Sequence, residues 1–355
     1  MATLDELELR LRALEQAQAA EPTSYYTSIF SGEEMDQRLA AAGVLGTAST
    51  PQEALAALGA AVRPNLLDNP CFVGGGTGWG VFPVNQRGQK SYTGQLGVRT
   101  QSIDRWSVSY ATLTLDSDGV QINSAAYDNS ILQIVPNWDN LVGETVTVSV
   151  LVSAISGGTA ILGINNVPTL EILAPGIYQK TLVLPAGVNR GISLAMPEGV
   201  SIKVQAMKLE VGDTQTLAYQ KSDGTWAMLP QHLSYQQELA KCQAYQIELN
   251  PYKLQNPTLG TVTRGPGSWY CAIALPATMR TSPTLKIDRG TPTVECPDGA
   301  FPVSQLTLLS ATSGMALFVL TFSGSTPSAA SSGTLYIAGT GSGADAPSVL
   351  LNANL

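Results

Sequence analysis

Asp128, Asp139 and Glu144 are carboxylates available for hydrolytic chemistry, since cleavage of a glycosidic bond needs two such groups facing each other across it. Nothing in the sequence shows any two of them converging, and no repeat of fixed period points to a β-helical depolymerase, so no residue is assigned a catalytic role. Asp116 and Asp118 share a turn with Gly119, yet a calcium loop needs further oxygens and a distant Glu in register. They read as turn residues. The run Gly74-Gly75-Gly76-Thr77-Gly78-Trp79-Gly80 lacks the Gly-Lys-Ser/Thr ending and the following helix of a phosphate loop, and reads as a surface turn. The single histidine, His232, removes every site built on two imidazoles and leaves little for a Ser-His-Asp arrangement. It opens a helix, where it is solvated or caps. Cys71, Cys242, Cys271 and Cys296 contain no Cys-x-x-Cys pair and read as free, mostly buried thiols, with Cys271 and Cys296 the one pair able to meet across adjacent strands. Neither a metal nor a cofactor is expected.

Aromatic residues are 6% of the chain, few for a surface that stacks on rings. Trp106, in Asp104-Arg105-Trp106, reads as core. In Ser268-Trp269-Tyr270-Cys271-Ala272-Ile273 a period of two puts Trp269 with Cys271 and Ile273 on the apolar side and turns Tyr270 the other way.

The elements that must carry these residues follow from composition. A chain of 355 residues has room for two compact domains and something smaller. Only 13% is charged, against 34 Gly and 21 Pro, a profile of short strands and turns. Net charge is −8, and residues 1–64 hold four Arg and no Lys against nine Asp and Glu. Without clustered cations, nucleic acid is not expected as a partner. The longest apolar run, near Met315 to Phe322, is too short to span a bilayer, so no membrane insertion is expected. Met1-Ala2-Thr3-Leu4-Asp5-Glu6 has no signal-peptide character, and the chain is expected to stay in the cytoplasm of its producer or leave by lysis.

Leu4, Leu7, Leu11 and Leu14 take the a and d positions of two heptads, a short oligomerising coil that needs contacts elsewhere. Ser31 and Glu34 form a capping box, and Thr50-Pro51-Gln52-Glu53 opens a further helix ending at Gly59. From Asn65 the period becomes two. Leu113 to Ile122 reads as a hairpin turning at Asp118-Gly119, and strands are expected over 145–153, 159–164, 177–184, 191–196 and 200–211. That predicts an antiparallel sandwich. A helix after Pro230 carries Tyr235, Leu239, Cys242 and Tyr245 in one stripe. The reading is therefore a mostly β chain: a helical stem (1–64), a β-sandwich (65–215), a linker and helix (216–250), and a distal β-sandwich (251–355) so poor in charge that much of it should face other copies.

Several strings bear a family likeness. Tyr25-Tyr26-Thr27-Ser28, then Gly32-Glu33-Glu34-Met35-Asp36, resembles the attachment region of phage tail and head fibre proteins. Asn65-Leu66-Leu67-Asp68-Asn69-Pro70, Asn85-Gln86-Arg87-Gly88, Ile103-Asp104-Arg105-Trp106 and Lys208-Leu209-Glu210-Val211-Gly212 resemble the sandwich module of phage appendages. Glu238 to Tyr245 is similar to the helix after that module, and Leu275 to Thr284 to a strand and turn of the distal domain. The opening also resembles carbohydrate-binding modules with a jelly-roll fold, but Val73 stands where their calcium-binding Glu falls. The resemblance implies a homotrimeric virion fibre without enzymatic activity. It would dock on a tail, baseplate or capsid protein through Tyr25, Tyr26, Ile29, Phe30, Met35 and Leu39 and bind a host-surface glycan, for which Tyr270, Tyr252 and Arg264 are the candidates by residue type. A head-mounted or decoration protein with only accessory adhesion and a polysaccharide depolymerase are the alternatives.

From the absence of a cysteine framework or ligand cluster, thiol reductant and chelator should each leave the melting temperature of the purified chain unchanged within a few degrees. A larger fall with either, read by differential scanning fluorimetry, would overturn the thiol and metal assignments.

Overall fold

The computed structural model describes residues 63–75, 82–126, 128–164, 167–187, 190–221, 223–229, 234–328, 332–339, 341 and 346–353. The heptad leucines Leu4, Leu7, Leu11 and Leu14, the docking residues Tyr25, Tyr26, Ile29, Phe30, Met35 and Leu39, the three stem helices and His232 lie outside them. So does most of the glycine run.

Twelve strands follow the period-two pattern: β1 (Ser91–Thr93), β2 (Thr100–Gln101), β3 (Ser107–Val108), β4 (Ala111–Asp116), β5 (Gly119–Ser124), β6 (Asp128–Ile134), β7 (Thr145–Ser156), β8 (Ala160–Ile164), β9 (Val167–Ile172), β10 (Gly176–Val183), β11 (Gly191–Met196) and β12 (Ser201–Val211). They form two antiparallel six-stranded sheets, ordered β1-β4-β5-β12-β7-β10 and β2-β3-β6-β11-β8-β9. Alternation explains the packing: Leu113, Leu115, Val120, Ile122, Val148 and Leu209 turn inward and are fully buried between the sheets with Trp106 and Phe72. Each such side chain contributes roughly 1.5–3 kcal/mol. The β4–β5 hairpin turns one step earlier than expected. Asp116 pairs with Gly119, which makes Ser117-Asp118 the loop and leaves the glycine, at φ 147°, to begin the strand where a Cβ would strike the Val204 carbonyl.

The outer face of β12 is also covered. Beyond Val211 the chain folds back over it and adds β13 (Ala218–Gln220) and β14 (Trp226–Met228), packing Leu217 and Ala218 on Leu151 and Ala206. Under this strap Lys208 and Glu210 are wholly buried with their charged groups 3.6 Å apart. Lys208 Nζ donates to Thr216 Oγ1 at 2.7 Å, while Glu210 accepts from the Thr216 N–H at 2.7 Å and its hydroxyl at 2.6 Å. Burial brings the Lys208 ammonium down to about 8 against the pull of Glu210.

The helix α1 (Tyr235–Gln243) lays Tyr235, Leu239 and Cys242 of the expected stripe beside Val84, while Tyr245 falls just past the helix end. Next come β15 (Gln246–Glu248), β16 (Thr258–Gly265), β17 (Ser268–Ala274), β18 (Thr284–Arg289), β19 (Thr291–Cys296), β20 (Gly299–Ala311), β21 (Met315–Phe322), β22 (Gly333–Ala338) and β23 (Ser348–Asn352). The distal strands do not make a second sandwich. They close into one barrel, β16-β17-β21-β20-β19-β22, beside a three-stranded sheet β15-β23-β18. Closure is possible because β16 pairs with both β17 and β22, and because the long β20 bends at two register shifts along β21. Val262, Trp269, Cys271, Ile273, Phe318 and Leu335 fill the interior. All four cysteines are free thiols, three of them buried. Cys271 and Cys296 do not meet on adjacent strands, since β16 and β22 stand between β17 and β19.

Lys208→Met should lower the unfolding free energy by about 3–5 kcal/mol, because it strands Glu210 as a lone buried charge. Adding Glu210→Gln should recover part of that loss, as the amide oxygen still accepts from Thr216. Urea unfolding of the two variants checks this, and equal losses would refute it.

Candidate functional site

Strongly displaced ionisation is one marker of a site, and here it leads first to a buried polar knot. Asn69, at φ 50°, donates through Nδ2 to the Val84 carbonyl at 2.8 Å and the Asp104 carbonyl at 2.9 Å, and Oδ1 accepts from the Val84 N–H at 2.7 Å. Its own N–H donates to Glu238 of α1 at 2.8 Å, and its carbonyl accepts from the Trp106 indole at 2.9 Å. Next to it Arg105 pairs with Asp68 at 2.8 Å and lies over the Tyr245 ring at 3.5 Å from the centroid. Asp104 accepts from the Gln86 N–H at 2.7 Å and its side-chain amide at 3.0 Å, and that amide also donates to the Gln246 carbonyl at 2.8 Å. Burial, and then the charge of Glu248, raise the Asp104 carboxyl to about 6 against the Gln86 hydrogen bonds and Arg87. The strings quoted from residues 65–106 and 238–245 thus meet in one buried cluster.

The glycan candidates fall apart into two places. Arg264 and Trp269 pair across the β16–β17 hairpin, and the guanidinium sits 5.9 Å from the indole centroid. Tyr270 points to the opposite face of the same hairpin, its ring lying over Gly265, where a Cβ would come within 2.6 Å of it. Tyr252 is elsewhere, 73% exposed in the turn after β15 that Asn250 holds through Leu254. Around Tyr270 the outer face of the barrel carries Ala272, Leu317 and Val319, and Arg264 is the only charged residue on β16, β17, β20 or β21.

Three of the other carboxylates singled out in the sequence have structural partners. Lys203 Nζ lies 3.2 Å from Asp116 and 3.0 Å from Asp118, which occupies both turn carboxylates with an ammonium. Asp139 pairs with Arg190 at 3.1 Å. Among the described residues no group of three or more His, Cys, Asp or Glu is placed to hold a metal ion. Burial raises the Cys271 thiol to about 12, which keeps it protonated and inert.

A cleft of about 300 Å³ opens at the barrel end where β17 finishes and β21 begins. Thr278, Met279, Thr281 and Ser282 line one wall and Thr312 and Ser313 the other. Sequence reasoning passed over these residues. Their signal was the hydroxyl-rich turn inside Leu275 to Thr284, where no single residue type announces chemistry. Compared with protein-family models and with curated proteins, the chain matches none.

Asp104 sets a pH dependence whose sign follows from its raised carboxyl. The folded state holds that proton more tightly than the unfolded chain, so its contribution is complete below pH 3.8 and is lost as pH rises through about 6. The unfolding free energy of wild type relative to Asp104→Asn should therefore fall by about 2 kcal/mol between pH 4 and 7. Denaturant titrations across that range test it, and a flat difference would mean that Asp104 is ionised throughout.

Proposed function

We propose that this chain is a homotrimeric fibre or appendage protein of a phage or phage-derived particle, docked through residues 1–64 and binding a host-surface glycan with its β-rich part. The observation that carries this reading is the coincidence of strand order and string position. Along β5 to β12 the chain passes back and forth between sheets ordered β5-β12-β7-β10 and β6-β11-β8-β9, the winding of a jelly roll. The strings resembling phage appendage modules build the knot that closes this fold. Assembly is supported by the nearly charge-free outer face of the barrel, which would cost little to desolvate against another copy. Binding is favoured over catalysis because Asp139 is tied to Arg190 and the cleft presents hydroxyls without carboxylates.

Light scattering of the purified full chain should give a trimer, with and without residues 1–20, because two heptads hold little by themselves. The same full-length protein should bind bacterial surface polysaccharides on a printed array without releasing reducing ends. A monomer would overturn the assembly, and an array with no bound glycan would overturn the adhesion.

A further inference from the structure

The cleft at the end of the barrel has a chemistry of its own, separate from Tyr270, Tyr252 and Arg264. Its lining includes four Ser and Thr hydroxyls besides that of Thr278, and no charged side chain. Thr278 Oγ1 donates to the Ser313 carbonyl at 3.1 Å, and the Leu275 N–H to the Gly314 carbonyl at 2.9 Å, so the two walls are fastened to each other. The Arg280 N–H donates to the Ala244 carbonyl at 2.9 Å, and its guanidinium lies 5.3 Å from the Tyr245 centroid, which ties the loop to that segment and engages the one charged residue of 275–284 outside the cleft lining. Among the described residues the hydroxyls of Thr281, Ser282 and Ser313 make no hydrogen bond to the protein. Met279, 8% exposed, belongs to the barrel core and gives the cleft an apolar surface.

These features select a ligand. Hydroxyls donate and accept, so they suit partners that do both, while an anionic or cationic group entering here would lose water without gaining a counter-charge. Hydroxyls on two facing turns beside one thioether suit a pyranose, which has hydroxyls at its rim and C–H groups on its faces. The volume is at the small end of ligand sites and holds one such ring. We infer that this cleft binds a single uncharged monosaccharide residue of a surface glycan, an inference that rests on the adhesion reading above and gives it a place and a substrate class. One shallow site of this kind binds with a Kd on the order of millimolar. Repetition of the site on an oligomer then supplies the working avidity.

The test uses the full chain with 13C-methyl-labelled methionine, in which Met279→Leu assigns the Met279 resonance. Glucose, galactose, N-acetylglucosamine and glucuronic acid are titrated in turn. At least one neutral sugar should shift the Met279 methyl in a saturable way, and glucuronic acid should act at least tenfold more weakly. On the polysaccharide array Ser282→Trp, which fills the cleft, should reduce binding at least tenfold. The gentler pair Thr281→Val and Ser282→Ala should weaken it severalfold, with the melting temperature and oligomer unchanged, and this pair decides the matter if the tryptophan variant misfolds. Array binding at wild-type strength by the folded variants would remove the cleft while leaving adhesion intact. Glucuronic acid shifting Met279 as strongly as the neutral sugars would overturn the uncharged class. A wild-type chain that binds no glycan would fail the adhesion reading itself, and this inference with it.

Discussion

Asn69 bonds with three other segments of chain at once. Its amide holds the backbone at Val84 and Asp104, its N–H reaches Glu238 on the helix, and its carbonyl receives the Trp106 indole. Few side chains could replace it. The left-handed φ of 50° is one that Asn tolerates better than most residues, and only a primary amide can both donate twice and accept at that point. Asp shares the shape of Asn but not its donors, and would put a bare charge among carbonyl oxygens. Trp106, with Trp138 the largest of the fully buried side chains, is oriented by the Asn69 main-chain carbonyl, so the core between the sheets is keyed to the knot beside it.

Polar contacts of the same kind continue into the distal part. Gln86 joins Asp104 to the β15 backbone through the Gln246 carbonyl, and Glu248 on that strand accepts from the Ser348 hydroxyl at 2.6 Å and the Val349 N–H at 3.0 Å. Lys253 closes on the same carboxylate at 3.4 Å. Buried charges of this sort add little net stability but penalise any arrangement that leaves one unpaired. They define how β15 sits against the sandwich more sharply than apolar contact alone would.

Strand positions were legible wherever alternation was clean. The expected 191–196 and 200–211 match β11 and β12 to within a residue, and 145–153 falls short of β7 by three because Ala154, Ile155 and Ser156 continue the ladder with β12. The helix stripe from Tyr235 was legible for the same reason, since its period is local. Barrel closure was not, because it depends on β16 meeting β22 some seventy residues away, and a period of two is the same in a sandwich and a barrel. The knot was visible only as disconnected polar strings. Asn69, Asp104 and Glu238 are far apart in the chain, and nothing local marks them as partners. The cleft was least legible of all. Serine and threonine hydroxyls are common in turns, and two separate turns had to be brought together before they enclosed a space.

The three-stranded sheet also has a bearing on the order of folding. β23 lies between β15 and β18, and the Ala353 N–H bonds to the Tyr245 carbonyl, so residues about a hundred positions apart complete each other. The sandwich strands are in hand by Val211, whereas Glu248 has its Ser348 and Val349 donors only after the ribosome has added the intervening barrel. Contacts of such long range form slowly, and the exposed edges of β15 and β18 stay open for pairing until they do. The chain order therefore separates the two: every sandwich strand ends by Val211, and the distal sheet cannot be completed until residue 353 is in place.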